Sequence, residues 1–379
     1  MNSNRKKDCI LGNRDPGRRT DVSVESIVLR RVRLPLTVPY RLSYRTFESF
    51  EPIIAEVHGP DGRVGWGDGH ISPGSSAETR EGGWAICRDM ASRIVGSQAD
   101  DAIGDIAERI HMSKVAGSAL ITALEMLEEA PLLNVPEDIR LPLLAPVNGL
   151  EANEIEIEIE EKLAAGFRTF KVKVGKDVDA DLARLAMIQK VVDDRAALRI
   201  DANRAYDQDQ GCRFASSLDP TGVELFEQPC AAEDWDANAA VAETSNVALM
   251  LDEPICDLTD IEKAATIKGV GFCKLKLKRF GSLACLKQGL ECVRNLGMDP
   301  VLGDGLGSEI TNWMEASVAQ TLIRNAGEFN GFLKASDRLF ETPLRFEDGD
   351  LILPKGFVPR LDKQRLDRLT VEVAEFAAA

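Results

Sequence analysis

Residues 167–203 read FRTFKVKVGKDVDADLARLAMIQKVVDDRAALRIDAN. A β-rich run, FRTFKVKVG, gives way to a helical stretch, and a second β-rich run, ALRIDAN, follows and carries an acid near its end. Strand, helix and strand in that order form one parallel βα unit. The unit recurs downstream in VELFEQP (223–229), VALMLDEP (247–254) and GFCKLKLKRFG (271–281). Lys173, Asp201, Glu227, Asp252 and Lys276 stand near the ends of these runs at intervals of 28, 26, 25 and 24 residues. One strand, loop, helix and loop takes about that length in a barrel. LLAPVNG (143–149) comes before, and DPVLGDG (299–305) and FNGFLK (329–334) come after. Together they make eight candidate strands, enough to close a barrel. The run EANEIEIEIEEKLAAGF (151–167) alternates with period 2. It is assigned as helix because Glu, Lys and Ala favour helix and Gly166 is placed to cap it.

Upstream the rhythm differs. VESIVLRRVRLPL (24–36) and EPIIAEVHGPDGRVGWGD (51–68) read as strands, with a turn at Pro60-Asp61-Gly62. Helices follow over 77–133, so residues 21–140 form an α+β unit. Residues 141–340 hold the barrel. Residues 341–379 include the strand-like run LRFEDGDLILP (344–354) and return to the first unit. Residues 1–20 are polar and locally basic without an apolar core, a flexible leader rather than a secretory signal.

The chain has 379 residues, 44% of them apolar, with 46 basic against 62 acidic side chains, a formal charge of −16. That balance argues against tracking a phosphate backbone. No run is long enough to span a membrane as a helix. Eight scattered cysteines show no C-x-x-C pair, so reduced thiols in a cytoplasmic protein are expected. The three histidines, His58, His70 and His111, leave none in the barrel. Acid–base chemistry there cannot use imidazole.

Residues at the C-terminal ends of barrel strands share one mouth. Asp201, Glu227 and Asp252 each follow an apolar strand and would lie side by side. Three bare carboxylates repel one another. A hard divalent cation resolves that, and all-oxygen donors with open positions suit Mg²⁺. Lys171 and Lys173 share one strand face before the acids, and Lys274, Lys276 and Lys278 share another after them. Neighbouring positive charge is expected to lower a lysine's pKa enough for one to act as a base.

At these residues the chain resembles the enolase superfamily, and within it the muconate-lactonizing-enzyme subgroup. The resemblance covers nearly the whole length. It lies in K-x-K (Lys171, Lys173), D-x-N (Asp201, Asn203), E-Q-P (from Glu227), D-E (Asp252, Glu253) and Lys276 with Gly281 five residues on. GRVGWGDGH (62–70) is similar to the family's G-x-x-G-W-G-E, with Asp68 where Glu is usual. The resemblance implies a modified TIM barrel, (β/α)₇β, under an N-terminal α+β capping domain completed by the C-terminal segment. It implies Mg²⁺ on Asp201, Glu227 and Asp252, and acid–base roles for Lys173 and Lys276. The mandelate-racemase branch needs a barrel histidine, which this chain lacks. The Asp-x-Asp of the dipeptide epimerases is absent from Glu328–Lys334, and EFNGFLKASDRLFETPLRF (328–346) is closer to the cycloisomerases.

The reaction expected is proton removal next to a carboxylate, through an enolate, on a small-molecule substrate. Lysines on two sides permit racemisation or epimerisation, and one side alone permits cycloisomerisation. Dehydration by syn elimination is the alternative, and a metal-dependent binding protein without activity the other. Lys171, Asn203, Glu253, Lys274, Asp304 and Glu328 complete the candidate surroundings, with Lys334 as an anion contact. Tyr40, Arg41, Tyr44 and Arg45, in the loop between two capping strands, are candidate substrate contacts. A homo-oligomer is expected, with no nucleic-acid or membrane partner.

Overall fold

The computed structural model describes residues 9, 10, 22–41, 46–74 and 76–378. The alternating run after Ser23 forms β1 (Ser26–Val32), which buries Ile27, Leu29 and Val32. It lies between β4 (Pro52–His58) and β16 (Thr370–Ala377), and β5 (Val64–His70) completes an antiparallel sheet in the order β16-β1-β4-β5. β2 (Leu34–Arg41) and β3 (Thr46–Phe50) form a separate hairpin. Helices α1 (Arg80–Ile94), α2 (Ala99–Arg109) and α3 (Lys114–Leu127) pack on this unit, which is the capping domain.

The glycines of GRVGWGDGH have a packing reason. Gly65, Gly67 and Gly69 alternate along β5 and share one face, with α3 lying directly on it. A Cβ on them would meet backbone oxygens of α3: Ala123 O at 2.0 Å, Ala119 O at 2.1 Å and Val115 O at 2.5 Å. Backbone cannot step aside as a side chain tip can. Gly67→Ala is therefore expected to cost about 3 kcal/mol through overpacking, read as a lower urea midpoint. An unchanged midpoint would mean that α3 can lift from the sheet.

The barrel strands run β7 (Ala145–Val147), β8 (Thr169–Lys173), β9 (Ala197–Asp201), β10 (Val223–Glu227), β11 (Leu249–Leu251), β12 (Val270–Leu275) and β13 (Asp299–Leu302). All pair in parallel, and their order in space follows the sequence. Between β7 and β8 the alternating segment is indeed helical, α4 (Ala152–Ala164). A capping box of Glu151 and Glu154 starts it, and Gly166, at φ +95°, follows its end. Ile155 and Ile159, one turn apart, are buried while Ile157 faces out, as a 3.6-residue period requires.

FNGFLK does not form the eighth strand. Gly331–Leu333 is a 3₁₀ turn, and side-chain bonds replace a ladder: Asn330 Nδ2 donates to Leu144 O (2.8 Å), and Phe332 N to Asn312 Oδ1 (2.8 Å). The gap between β13 and β7 is bridged just upstream. Glu328 N donates to Leu302 O (2.8 Å) and Gly327 N to Pro142 O (2.8 Å).

The strand β14 (Arg345–Glu347) pairs with β15 (Asp350–Leu353), and β15 with β6 (Ile139–Pro142), in a sheet apart from the capping sheet. The segment that pairs with β1 is β16, preceded by α12 (Lys363–Leu369). One thiol expectation is also corrected. Cys9 and Cys285 form a disulfide across 276 residues of sequence, with Cα atoms 5.8 Å apart, while the other six cysteines are free. Spacing along the chain is silent about such a long-range meeting. Among the described residues no helix is long and apolar enough to cross a membrane.

Candidate active site

Strand register builds the site. Lys173 pairs with Asp201, and Asp201 with Glu227, so three neighbouring strands present these side chains in one layer. Asp252 follows the end of β11, and Lys276 follows the end of β12. Asp201, Glu227 and Asp252 are all buried. Asp201 and Asp252 face a cavity of about 140 Å³ that Lys173, Lys276 and Tyr40 also line, whereas Glu227, on the strand between them, is not part of its wall. The cap contributes Ser72, Ser76, Glu78 and Lys114 to its wall.

Two residues near the strand ends hold backbone conformations that favour glycine. Asn203 has φ +45° and Gln228 φ +38°. Such strain survives only where surrounding bonds enforce it. Asn203 N donates to Asp201 Oδ1 (2.8 Å), and Gln228 Oε1 accepts from Asp252 N (2.9 Å). Gln228 thus ties the acid of β11 to the end of β10. Its place in E-Q-P was the only signal of that role.

The acids are not bare. Lys171 Nζ donates to Glu328 Oε1 (2.8 Å) and stands 2.8 Å from Asp201 Oδ2 and 2.6 Å from Glu227 Oε2. Lys173 Nζ bonds Asp201 Oδ2 and donates to Asn203 Oδ1 (2.6 Å). Lys274 Nζ donates to Glu227 Oε1 (3.3 Å) and pairs with Glu328. Lys276 Nζ donates to Asp252 Oδ2 (2.9 Å) and lies 3.4 Å from Asp304 Oδ1. Arg279, absent from the sequence reading, reaches Asp252 Oδ1 at 2.9 Å.

The strand face of three lysines is corrected: only Lys274 lies within β12. β12 ends at Leu275, Lys276 is the N-cap of the short helix α9 (Leu277–Phe280), and Lys278 rides on that helix. Its ammonium pairs with Asp304 and donates to His70 O of the cap (3.3 Å). The alternation in KLKLK runs across a strand end, so period 2 misleads there.

Burial works to raise Asp201, but Lys171, Lys173 and Lys274 override it and hold the carboxyl down at about 2. Burial likewise opposes ionisation of Asp252, and Arg279 and Lys276 hold it well below the usual range. Burial and the Asp201 charge raise Glu227. Burial and neighbouring Asp252 push Glu253 up to about 7. The expected lowering of a base lysine is not found at Lys276. Burial and Arg279 pull its pKa down, yet Asp252 and Asp304 hold it above the ordinary value. Lys274 is lowered, mainly by burial.

As the side chains stand, no three acidic, histidine or cysteine side chains among the described residues close on one point as a metal site would. Ammonium groups lie between the carboxylates instead. The donor set nonetheless suits a hard cation: three buried carboxylates on adjacent strands supply oxygen alone. Glu227 Oε2 is buried and faces only the Lys171 ammonium, 2.6 Å away, in an ion pair without a hydrogen bond. A hard cation at that oxygen would take the place of the ammonium.

The expected capping loop is corrected at Tyr40 and Arg41, which belong to β2; Tyr40 faces the cavity, whereas Tyr44, Arg45 and the Arg41 side chain lie outside the described residues. Asn203, Glu253, Lys274, Asp304 and Glu328 line the cavity, and Lys334 stands behind Tyr40.

Residues 154–357, more than half of the chain, match the family model described as enolase C-terminal domain-like. An L-Lys-D/L-Arg epimerase of Methylococcus capsulatus is 26% identical over 303 residues, 74% of this chain and 82% of its own length. Muconate cycloisomerase 1 of Acinetobacter baylyi is 25% identical over 92% of this chain and 98% of its own. In structure, a dipeptide epimerase from Cytophaga hutchinsonii, complexed with Mg and the dipeptide D-Ala-L-Val, superposes with a TM-score of 0.84. It is 19% identical, over 94% of this chain and all of its own.

Proposed function

Since the chain belongs to the enolase C-terminal domain-like family, we propose that it is a Mg²⁺-dependent isomerase of small carboxylates. It takes a proton from the carbon next to the carboxylate on one side and returns one from the other. Its relatives with known activities include a cycloisomerase and an epimerase. The observation that carries the reading is the row itself: Lys173 on β8 and the Lys276 beyond β12 flank Asp201, Glu227 and Asp252 and line the same cavity.

Asp201, Glu227 and Asp252 would hold Mg²⁺, which when bound supplies positive charge to offset the negative charge that builds on the substrate carboxylate. Lys173 Nζ, oriented by Asn203 Oδ1, accepts or returns the proton on one face. Lys276 Nζ, held between Asp252 and Asp304, does so on the other. Lys171 and Lys274 lie deeper and bridge Glu227 and Glu328, which keeps the acid layer in place. Tyr40 and the capping residues Ser72 and Glu78 close the cavity from above and limit water.

With Mg²⁺ in D₂O, at least one member of a panel of chiral and unsaturated carboxylates is expected to exchange its α-hydrogen, followed by proton NMR. If none exchanges while Mg²⁺ still raises the melting temperature, the protein binds without catalysis and the proposal fails.

A further inference from the structure

The two lysines on either side of the acid row are held in different ways. Lys173 is the last residue of β8 and pairs in register with Asp201. Lys276 lies one residue past β12, whose pairing with β13 ends at Leu275. No ladder reaches it. It is the N-cap of α9, and its side chain, turned to Asp252 and Asp304, makes no cap bond. Ser, Thr, Asp or Asn at that position would accept from the first free N–H groups of the helix. Lysine has no acceptor to offer.

Glu315 supplies one from another element. It stands on α11 (Glu309–Ala319), the helix that follows β13, and its Oε1 accepts from Leu277 N (3.1 Å). That N–H belongs to the peptide joining Lys276 to Leu277, so the bond fixes the backbone at the lysine itself. From the cap, Ser118 Oγ of α3 donates to Leu277 O (3.4 Å). Glu315 is 1% exposed, and its Oε2 has no hydrogen-bond partner among the described residues. A buried acid with one oxygen unpartnered costs stability. Local departures of that kind gather at functional sites. Burial pushes Glu315 up to about 8, with Asp304 and Asp68 adding to the rise and the Leu277 N–H and Lys278 opposing it. Near neutral pH the group accepts as a neutral carboxyl, which an amide can copy.

We propose that Glu315 is a positioning residue for the second base. Through the Leu277 N–H it sets where the backbone leaves β12, and hence where Lys276 Nζ meets the substrate. This rests on the reading of Lys276 as the base for one face. Lys173, fixed by its own ladder, does not depend on it.

Glu315→Met removes the acceptor at similar volume, and Glu315→Gln keeps it. Exchange of the α-hydrogen in D₂O is followed by proton NMR for each enantiomer of a chiral carboxylate that the wild type turns over. The enantiomer whose exchange Lys276→Met abolishes defines the Lys276 face. A displacement of about 1 Å costs on the order of a hundredfold in rate, so Glu315→Met is expected to slow that face by about a hundredfold. The Lys173 face keeps its rate, and Glu315→Gln restores the Lys276 face. Amide hydrogen exchange, read by mass spectrometry on the full chain, quickens about tenfold in peptides covering 276–281 of Glu315→Met. It stays unchanged in those covering 169–174. Should Glu315→Met fail to fold, Glu315→Asp, which withdraws the acceptor by one methylene, is read in its place with the same one-sided loss expected. Equal losses on both faces mean a structural role alone and overturn the inference. So does no loss on either face, or a Glu315→Gln as slow as Glu315→Met. A wild type that exchanges no carboxylate sinks the reading beneath, while the amide measurement still reports whether Glu315 holds Leu277.

Discussion

Lys276→Met is expected to stop proton exchange on one face of the substrate and Lys173→Met on the other, each by about three orders of magnitude. A single variant of an enzyme that inverts its substrate should still exchange the α-hydrogen of one enantiomer in D₂O. The fold should survive both changes, because each acid keeps a second cation. Without Lys276, Asp252 retains Arg279 and Asp304 retains Lys278. Without Lys173, Asp201 retains Lys171. Lys274 is the control. It lies two residues earlier on β12, roughly 6.6 Å deeper by strand rise, and pairs with Glu227 and Glu328. Stereospecific loss in Lys274→Met with none in Lys276→Met would place the base one layer lower. Exchange on both faces in Lys173→Met would remove the two-base mechanism altogether.

Glu227→Gln is expected to lose Mg²⁺ binding and turnover together. A ligand present at about a hundred times its Kd stabilises a fold by about 2.7 kcal/mol. Mg²⁺ should therefore raise the melting temperature of the wild type and leave that of Glu227→Gln unmoved. The metal-free variant should melt close to the metal-free wild type. Lys171 still has Asp201 and Glu328 as partners, and Lys274 still has Glu328. Turnover that persists in Glu227→Gln, or in wild type stripped by a chelator, would remove Glu227 from the metal site.

Five of the seven parallel strands, β8 to β12, were legible because each couples an apolar run to a charged residue at a βα-unit interval. The acid trio was legible for the same reason, since strand ends in a barrel share a layer. What the intervals could not convey is partnership. Lys171 and Lys274 fall between the acids because inward positions on neighbouring strands are close in space, and no spacing reports which ammonium meets which carboxylate. Arg279 was missed because it sits on α9, beyond the strand where the alternation breaks. FNGFLK looked like a strand by composition, yet Asn330 and Asn312 supply bonds that let the backbone curl. The capping residues Ser72, Ser76, Glu78 and Lys114 belong to a loop and a helix start, where neither period has purchase.

The pairing of β1 with β16 carries a consequence for how the molecule comes into being. Arg31 and Glu372, ion-paired across that junction, are 341 residues apart in sequence. During synthesis β1 emerges early, yet its neighbour emerges only after every barrel strand has left the ribosome. The barrel strands meet partners close in sequence and are free to assemble first, whereas the outer capping strand closes a loop of nearly the whole chain. Until then one edge of β1 is an open template for foreign strands. Nascent chains halted before residue 370 should thus be the aggregation-prone form, with a barrel largely formed and a lid whose sheet lacks its last strand.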